Sequence, residues 1–215
     1  MTRRLGAAAA ALTLAMTLGS TLAGCGGGDA SSEATPENPY QPTGSPSVTV
    51  TLMDPPADYS PIEGEGFTIS APSEFQQQQR TSSNGEPMLV LEKPSQVPAV
   101  PQRVAVIRDV DPKSSAVEQS FALEAAKAAG GPEGEVERSE IDVAGDTGPA
   151  FLVTWKETRP SKGADDVQVT YWQLLQQVGD ELILNVVAFA PSAEFESSEV
   201  SKILRTFVAD PSSAA

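Results

Sequence analysis

The stretch Val167-Gln168-Val169-Thr170-Tyr171-Trp172-Gln173-Leu174-Leu175, the corner Gly179-Asp180 and the run Leu182-Ile183-Leu184-Asn185-Val186-Val187-Ala188-Phe189 decide the fold. Two apolar runs rich in β-branched and aromatic residues, joined by a short Gly-Asp connection, predict an antiparallel hairpin. In the second run Leu182, Leu184, Val186 and Ala188 alternate with Ile183, Val187 and Phe189, and only Asn185 is polar. A strand with no face to give to water belongs in the middle of a sheet covered on both sides.

Upstream of the hairpin, residues 136–143 and 150–158 read as strands around Gly145-Asp146-Thr147-Gly148, and the loop 159–166 leads into the hairpin itself. Further upstream, Gly66-Phe67-Thr68-Ile69-Ser70 is a short strand ended by Pro72, with Phe75 turned back to the core. Asn84-Gly85 joins the polar run 76–83 to Met88-Leu89-Val90-Leu91 as a second hairpin, and residues 103–107 form another strand. Ser115 and Glu118 have the spacing of a capping box. They open a helix through Val117, Phe121 and Leu123 whose Ala/Phe stripe suits a sheet, and Gly130-Gly131 stops it. Downstream, Val200, Ile203, Leu204 and Phe207 fall at i, i+3, i+4 and i+7, which predicts a closing helix from about Ser197 with one buried side. This order of strands and helices is that of an α+β domain with a mainly antiparallel sheet and a helix on each face, a three-layer α/β/α sandwich.

The amino terminus reads differently. Met1-Thr2-Arg3-Arg4, an Ala/Leu-rich run over residues 5–22 and the small residues before Cys25 have the anatomy of a secretory signal. Cys25 is the only cysteine in the chain. Leu22-Ala23-Gly24-Cys25 resembles the lipobox of bacterial lipoproteins at every position. The resemblance implies cleavage between Gly24 and Cys25, a diacylglyceryl group on the Cys25 thioether and a new amino terminus open to acylation. Acyl chains buried at about 0.8 kcal/mol per methylene hold a protein on a bilayer when two or more are present. The partner implied is thus the membrane itself, on its extracytoplasmic face. The alternatives are an uncleaved helix, since residues 5–22 are just long enough to span a bilayer, a free thiol or intermolecular disulfide, and a twin-arginine signal at Arg3-Arg4, where Gly6 replaces the expected bulky residue.

The expected divisions are a signal over 1–24, a lipid-anchored Gly/Ser/Pro linker over 25–64, a folded domain over 65–209 and a disordered tail over 210–215. The linker composition cannot bury enough apolar surface to offset ordering, and as a flexible coil it spans roughly 35 Å. Inside it, Val48-Thr49-Val50-Thr51-Leu52 alternates like a strand; flanking prolines favour leaving it solvated over docking it on a sheet edge. The chain carries 14 basic against 29 acidic residues, net −15; losing Arg3 and Arg4 leaves 12 against 29, net −17. Such a body is repelled by nucleic acid, and its charge reads as a soluble surface or as an attraction for a cationic partner or calcium.

From Gly66-Phe67-Thr68-Ile69 with Pro72 and Phe75 to Ile203-Leu204-Arg205-Thr206-Phe207, the chain is similar to the PsbP-like superfamily. Those proteins open with an aromatic-x-apolar strand followed by Pro and close on an Ile-x-x-Ser/Thr-Phe helix. The resemblance implies an α/β/α sandwich and a binding or accessory role. The matched positions are core residues, so it carries over no site residue.

Motifs for chemistry are sparse. Asp146-Thr147-Gly148 spells the aspartic protease signature, without a second copy and with Gly145 and Pro149 at its flanks, which reads more naturally as a tight turn. The chain has no histidine, which removes Ser-His-Asp and Cys-His catalysis and His metal sites. Asp109 with Asp111, and Asp165 with Asp166, are short acidic pairs lacking the Gly and distal Glu of a calcium loop. Trp155, Tyr171 and Trp172 read as core aromatics. No catalytic, metal or cofactor residue is assigned. The expected role is an envelope accessory that binds another protein; the alternatives are a carrier or sensor of a small apolar or lipidic ligand held beneath a helix, and a carboxylate-based hydrolase.

Overall fold

The computed structural model describes residues 50–97, 99–130, 136–143, 148–160 and 165–213. Gly24, Cys25, the signal and most of the linker lie outside the described residues, as do Asp146 and Thr147. The chain is an α+β protein built from two antiparallel sheets. Its strands are β1 (Tyr59–Gly64), β2 (Phe67–Pro72), β3 (Gln76–Thr81), β4 (Pro87–Lys93), β5 (Gln102–Val110), β6 (Glu137–Ile141), β7 (Ala150–Arg159), β8 (Val167–Val178), β9 (Leu182–Pro191) and β10 (Val208–Ala209). Helix α1 (Ala116–Ala129) lies between β5 and β6; α2 (Ser192–Phe195) and α3 (Val200–Arg205) follow β9, and a 3-10 turn over Pro211–Ser213 follows β10.

The larger sheet runs β3-β4-β5-β9-β8-β7-β6, so β9 is its middle strand, as the doubly apolar run requires. Leu182, Leu184, Val186, Ala188 and Ala190 enter one core, with Ile69, Leu89, Val106, Leu174 and Phe207. Ile183 and Phe189 enter the other, with Phe151, Val153, Trp155, Tyr171 and Leu175. Asn185 is buried within this second set and accepts a 3.1 Å hydrogen bond from Gln173 Nε2, which answers part of its desolvation cost. Gly179, with φ of 67°, makes the β8–β9 turn. The Asn84-Gly85 hairpin also forms, pairing β3 with β4 from Gln76↔Glu92 to Thr81↔Pro87.

Helix α1 starts where the capping box places it, with the Ser115 hydroxyl and Glu118 exchanging hydrogen bonds. Its packing corrects the expected Ala/Phe stripe at one position: Phe121 is 38% exposed, whereas Val117 and Leu123 pack on the second core, and the inner face also carries Ala116, Ser120, Glu124 and Lys127. The reason is Arg138 on β6. Its side chain is 1% exposed, pairs with Glu124 at 2.8 Å and lies over the rings of Phe121 and Phe151. A buried guanidinium needs a carboxylate partner, and the helix is rotated to supply one.

The opposite face of the sheet is covered by more than the closing helix. Helix α3 packs on β9, β5 and β2, and the small sheet β1-β2-β10 shares the same core. Val200, Ile203, Leu204 and Phe207 are fully buried there, although Phe207 falls past the end of the helix. Thr206 locks the junction. Its hydroxyl accepts from Ser70 N–H at 2.9 Å and lies 3.0 Å from Ser70 O and 2.8 Å from Ile203 O.

The folded body also extends past both expected boundaries. Val50 is buried in the core, Met53 N–H donates to Arg205 O, and Arg205 Nε donates to Thr51 O, so the described part of the alternating segment, from Val50 on, docks instead of staying solvated. Residues 59–64, assigned to the linker, are strand β1. At the other end Asp210 N–H donates to Gly66 O and Gly66 N–H to Ser213 O, which holds the expected tail on β2 as far as Ser213. Composition does not reveal these ends, because core burial and backbone pairing with distant segments keep them.

Replacing Leu184 by Ala is expected to lower the unfolding free energy by about 2–5 kcal/mol, against about 1 kcal/mol or less for Phe121→Ala. Urea midpoints measure both; equal losses would mean that α1 buries its phenylalanine after all.

Candidate functional site

Val104, Val106 and Arg108 share a face of β5, and the first two are buried in the core beneath the small sheet. The alternation that buries two valines therefore carries Arg108 to the place where the two sheets part. Its side chain is 18% exposed and its guanidinium pairs with Glu65, in the β1–β2 turn. Its Nε is buried and makes no hydrogen bond to a described residue.

Around Arg108 lies an open cleft of about 700 Å³. Leu89, Val106 and Phe67 make its apolar floor, and Glu63, Glu65 and Gln79 stand at its rim. Phe67 is held against Gly64, where a side chain would collide with the ring. A second cleft of about 390 Å³ shares Arg108 and runs along Val110, Asp111 and the β8–β9 turn. The volume of the first lies in the range of about 300–1,000 Å³ typical of ligand sites, and an apolar floor with few charged groups suits binding by burial plus orientation.

Elsewhere the titratable groups are arranged as fixed charges. Burial alone would raise Glu157, but hydrogen bonds from Lys127 and Trp155 and the Lys127 charge hold its carboxyl below the ordinary value. Tyr171 is raised well above the ordinary phenol value, first by burial and then by the Glu157 carboxylate. Its ring stacks on Trp155 at 4.9 Å and meets Phe189 at 5.2 Å, with Lys127 and Arg159 over the ends of the row. Glu199, just before α3, is also held low: burial opposes this, while Tyr59 and Lys202 donate to it and outweigh burial. Tyr59 is raised by burial and by Glu199. Among the described residues every carboxyl displaced from its ordinary value, Glu118, Glu157, Glu199 and Asp210, is displaced downward. A lowered carboxyl is an anion at neutral pH and not a proton donor.

The sequence-derived candidates separate clearly. Cys25 and Gly24 fall outside the described residues, as does the Asp146 carboxylate of the protease-like motif. Gly148 is described, and its backbone N–H donates to Gln177 O while a side chain there would strike Gln177. Asp109 accepts from Gln119 Nε2 at 2.6 Å, Asp111 sits on the next turn with φ of 55°, and Asp165 and Asp166 are exposed. Among the described residues no three of His, Cys, Asp and Glu converge on a metal-sized space. Trp155 and Tyr171 are core, and Trp172 packs against Phe195 on the other face. The cleft residues Arg108, Glu63, Glu65 and Phe67 were not singled out from the sequence. The one available signal was a charged residue two positions beyond Val106, in register with the buried face of its strand.

Glu199 has a pH consequence. A carboxyl lowered by folding stabilises the protein above its unfolded value of about 4.3, and that stabilisation is lost as pH falls through the lower folded value. Glu199→Gln is expected to flatten the acid limb of a plot of urea midpoint against pH below about pH 4.5. An unchanged limb would show that the Tyr59 and Lys202 bonds add nothing.

No model of a known protein family matches the chain, and no curated protein matches it significantly.

Proposed function

We propose that the chain is a lipid-anchored lipoprotein of the extracytoplasmic face of a bacterial cell membrane. It works without catalysis, by binding another envelope protein through the cleft beside Arg108. The observation that carries the binding reading is the shape of that cleft: an open trough between two sheets, with an apolar floor and charges on its rim. An open trough receives a partner's side chains directly from the surface. The exposed large apolar residues, Val110, Phe121 and Val208, sit on three separate elements, so the described surface offers no broad greasy face to compete with it.

The anchor reading rests on Leu22-Ala23-Gly24-Cys25 and on the signal before it. No helix of the described residues is long and apolar enough to cross a membrane. The finer architecture, a helix on each face of the large sheet as in the PsbP-like proteins, is part of the same proposal; α1 meeting β6, β7 and β8 and α3 meeting β9 and β5 support it. A small-ligand carrier is the second reading, favoured by the cleft volume and by the unbonded Arg108 Nε as a counter-ion for an anionic head.

Two experiments test this. Cys25→Ser should move the protein out of the detergent phase on Triton X-114 partitioning; equal partitioning of both forms would make residues 5–22 the anchor. A photo-cross-linking side chain at position 79, irradiated on intact cells, should capture a protein partner. Capture of lipid without protein would replace the accessory reading by the carrier.

A further inference from the structure

We propose that the outer edge of β3 docks an extended, basic segment of the partner, which joins the large sheet as an added strand and lays alternate side chains over the cleft. The inference deepens the binding reading and rests on it.

An edge strand presents a row of unpaired N–H and C=O groups, and folded proteins blunt such edges with proline, charge, bulges or brevity. The described residues form two sheets, whose four edges are β1, β10, β3 and β6. Strand β1 has Pro61 in its middle. Strand β10 is two residues long. Strand β6 carries Glu137 and Glu140 among five residues. Strand β3, Gln-Gln-Gln-Gln-Arg-Thr, carries one charge, Arg80, which is turned back onto Gln78 on the face away from the cleft; it has six residues, no proline, no carboxylate, and an unbroken register against β4 without a bulge. Every residue of it except Gln78 is exposed. Of the four edges it is the one left fit to pair.

Its position gives the occupant its chemistry. Gln79 lies opposite Leu89, whose side chain enters the core beside Val106, and all three line the cleft. A strand added outside β3 would set every second side chain on that same face, next to the apolar floor. The Arg108 charge is taken by Glu65, and Glu63 has no ion pair among the described residues, so the cleft is net negative. The whole chain carries the same sign, −15. A second copy would bring that charge to itself, while a segment alternating basic and apolar residues is attracted to the rim and buries its apolar set on the floor.

The test uses the full chain and a fluorescein-labelled peptide of alternating lysine and valine. Fluorescence anisotropy should show saturable binding, weakened about tenfold or more by Glu63→Gln with Glu65→Gln and by moderate salt, and absent for the glutamate-valine peptide. An added strand uses one edge of its backbone. N-methylating one alternate set of peptide amides should therefore abolish binding while methylating the other set leaves it; tolerance of both would mean charge attraction alone and overturn the proposal. Hydrogen exchange should show alternate β3 amides open in the free chain and slowed by the peptide. Alternate amides already slow in the free chain would mean that residues 26–49 or a second copy covers the edge, which also overturns it. Capture of a partner at position 79 with β3 amides unchanged would keep the binding reading and end this one.

Discussion

The burial of β9 on both faces is the constraint on which the rest of the structure depends. A middle strand with Ile183, Leu184 and Val186 all withdrawn from water cannot be stable in a sheet open on either side. Each face therefore needs its own cover, and the chain supplies two different kinds. One is α1, docked through Ala116, Val117 and Leu123 together with the Arg138–Glu124 and Lys127–Glu157 pairs. The other is a composite of α3, α2 and the small sheet, docked through large apolar side chains.

That asymmetry explains where the molecule is closed and where it opens. On the α1 face the aromatic row Trp155, Tyr171 and Phe189 is filled in from above by Lys127, Arg159 and Arg103, whose charges lie over the rings while carboxylates hold them in place. On the other face the small sheet is shorter than the sheet it covers. Cover on this face buries Val104 and Val106 of β5 and Leu89 and Leu91 of β4, and it opens at the cleft, where the apolar floor meets Arg108 and the Glu63 and Glu65 rim. The cleft is thus the place where cover runs out, and the unblunted edge β3 borders it.

The carboxylates argue in the same direction. Glu157 and Glu199 are partly withdrawn from water yet held as anions by hydroxyl, indole and ammonium donors. They brace helices to strands and to each other, the work of structural charges. Chemistry that needs a proton donor near neutral pH would require the opposite shift.

How much of this was legible in the sequence follows from the range of the interactions concerned. The hairpins at Gly179 and Asn84-Gly85, the Ser115 capping box and the doubly buried β9 are written in contiguous residues, because turn geometry and alternation act over a few positions. The resemblance to a lipobox is equally local, a string of four residues behind an apolar run. Three things needed the tertiary structure. Arg138 turns α1 so that Phe121 is left partly exposed, a consequence of pairing a buried charge on the following strand with Glu124, 14 residues back and beyond the reach of helical periodicity. Val50 is held by the core, and Met53 and the residues from Asp210 to Ser213 by backbone groups of distant segments, which composition does not encode. The cleft joins Arg108 to Glu65 and Phe67 across about forty residues of chain, and closing so long a loop is decided by the cores on either side of it, not by any motif at its ends.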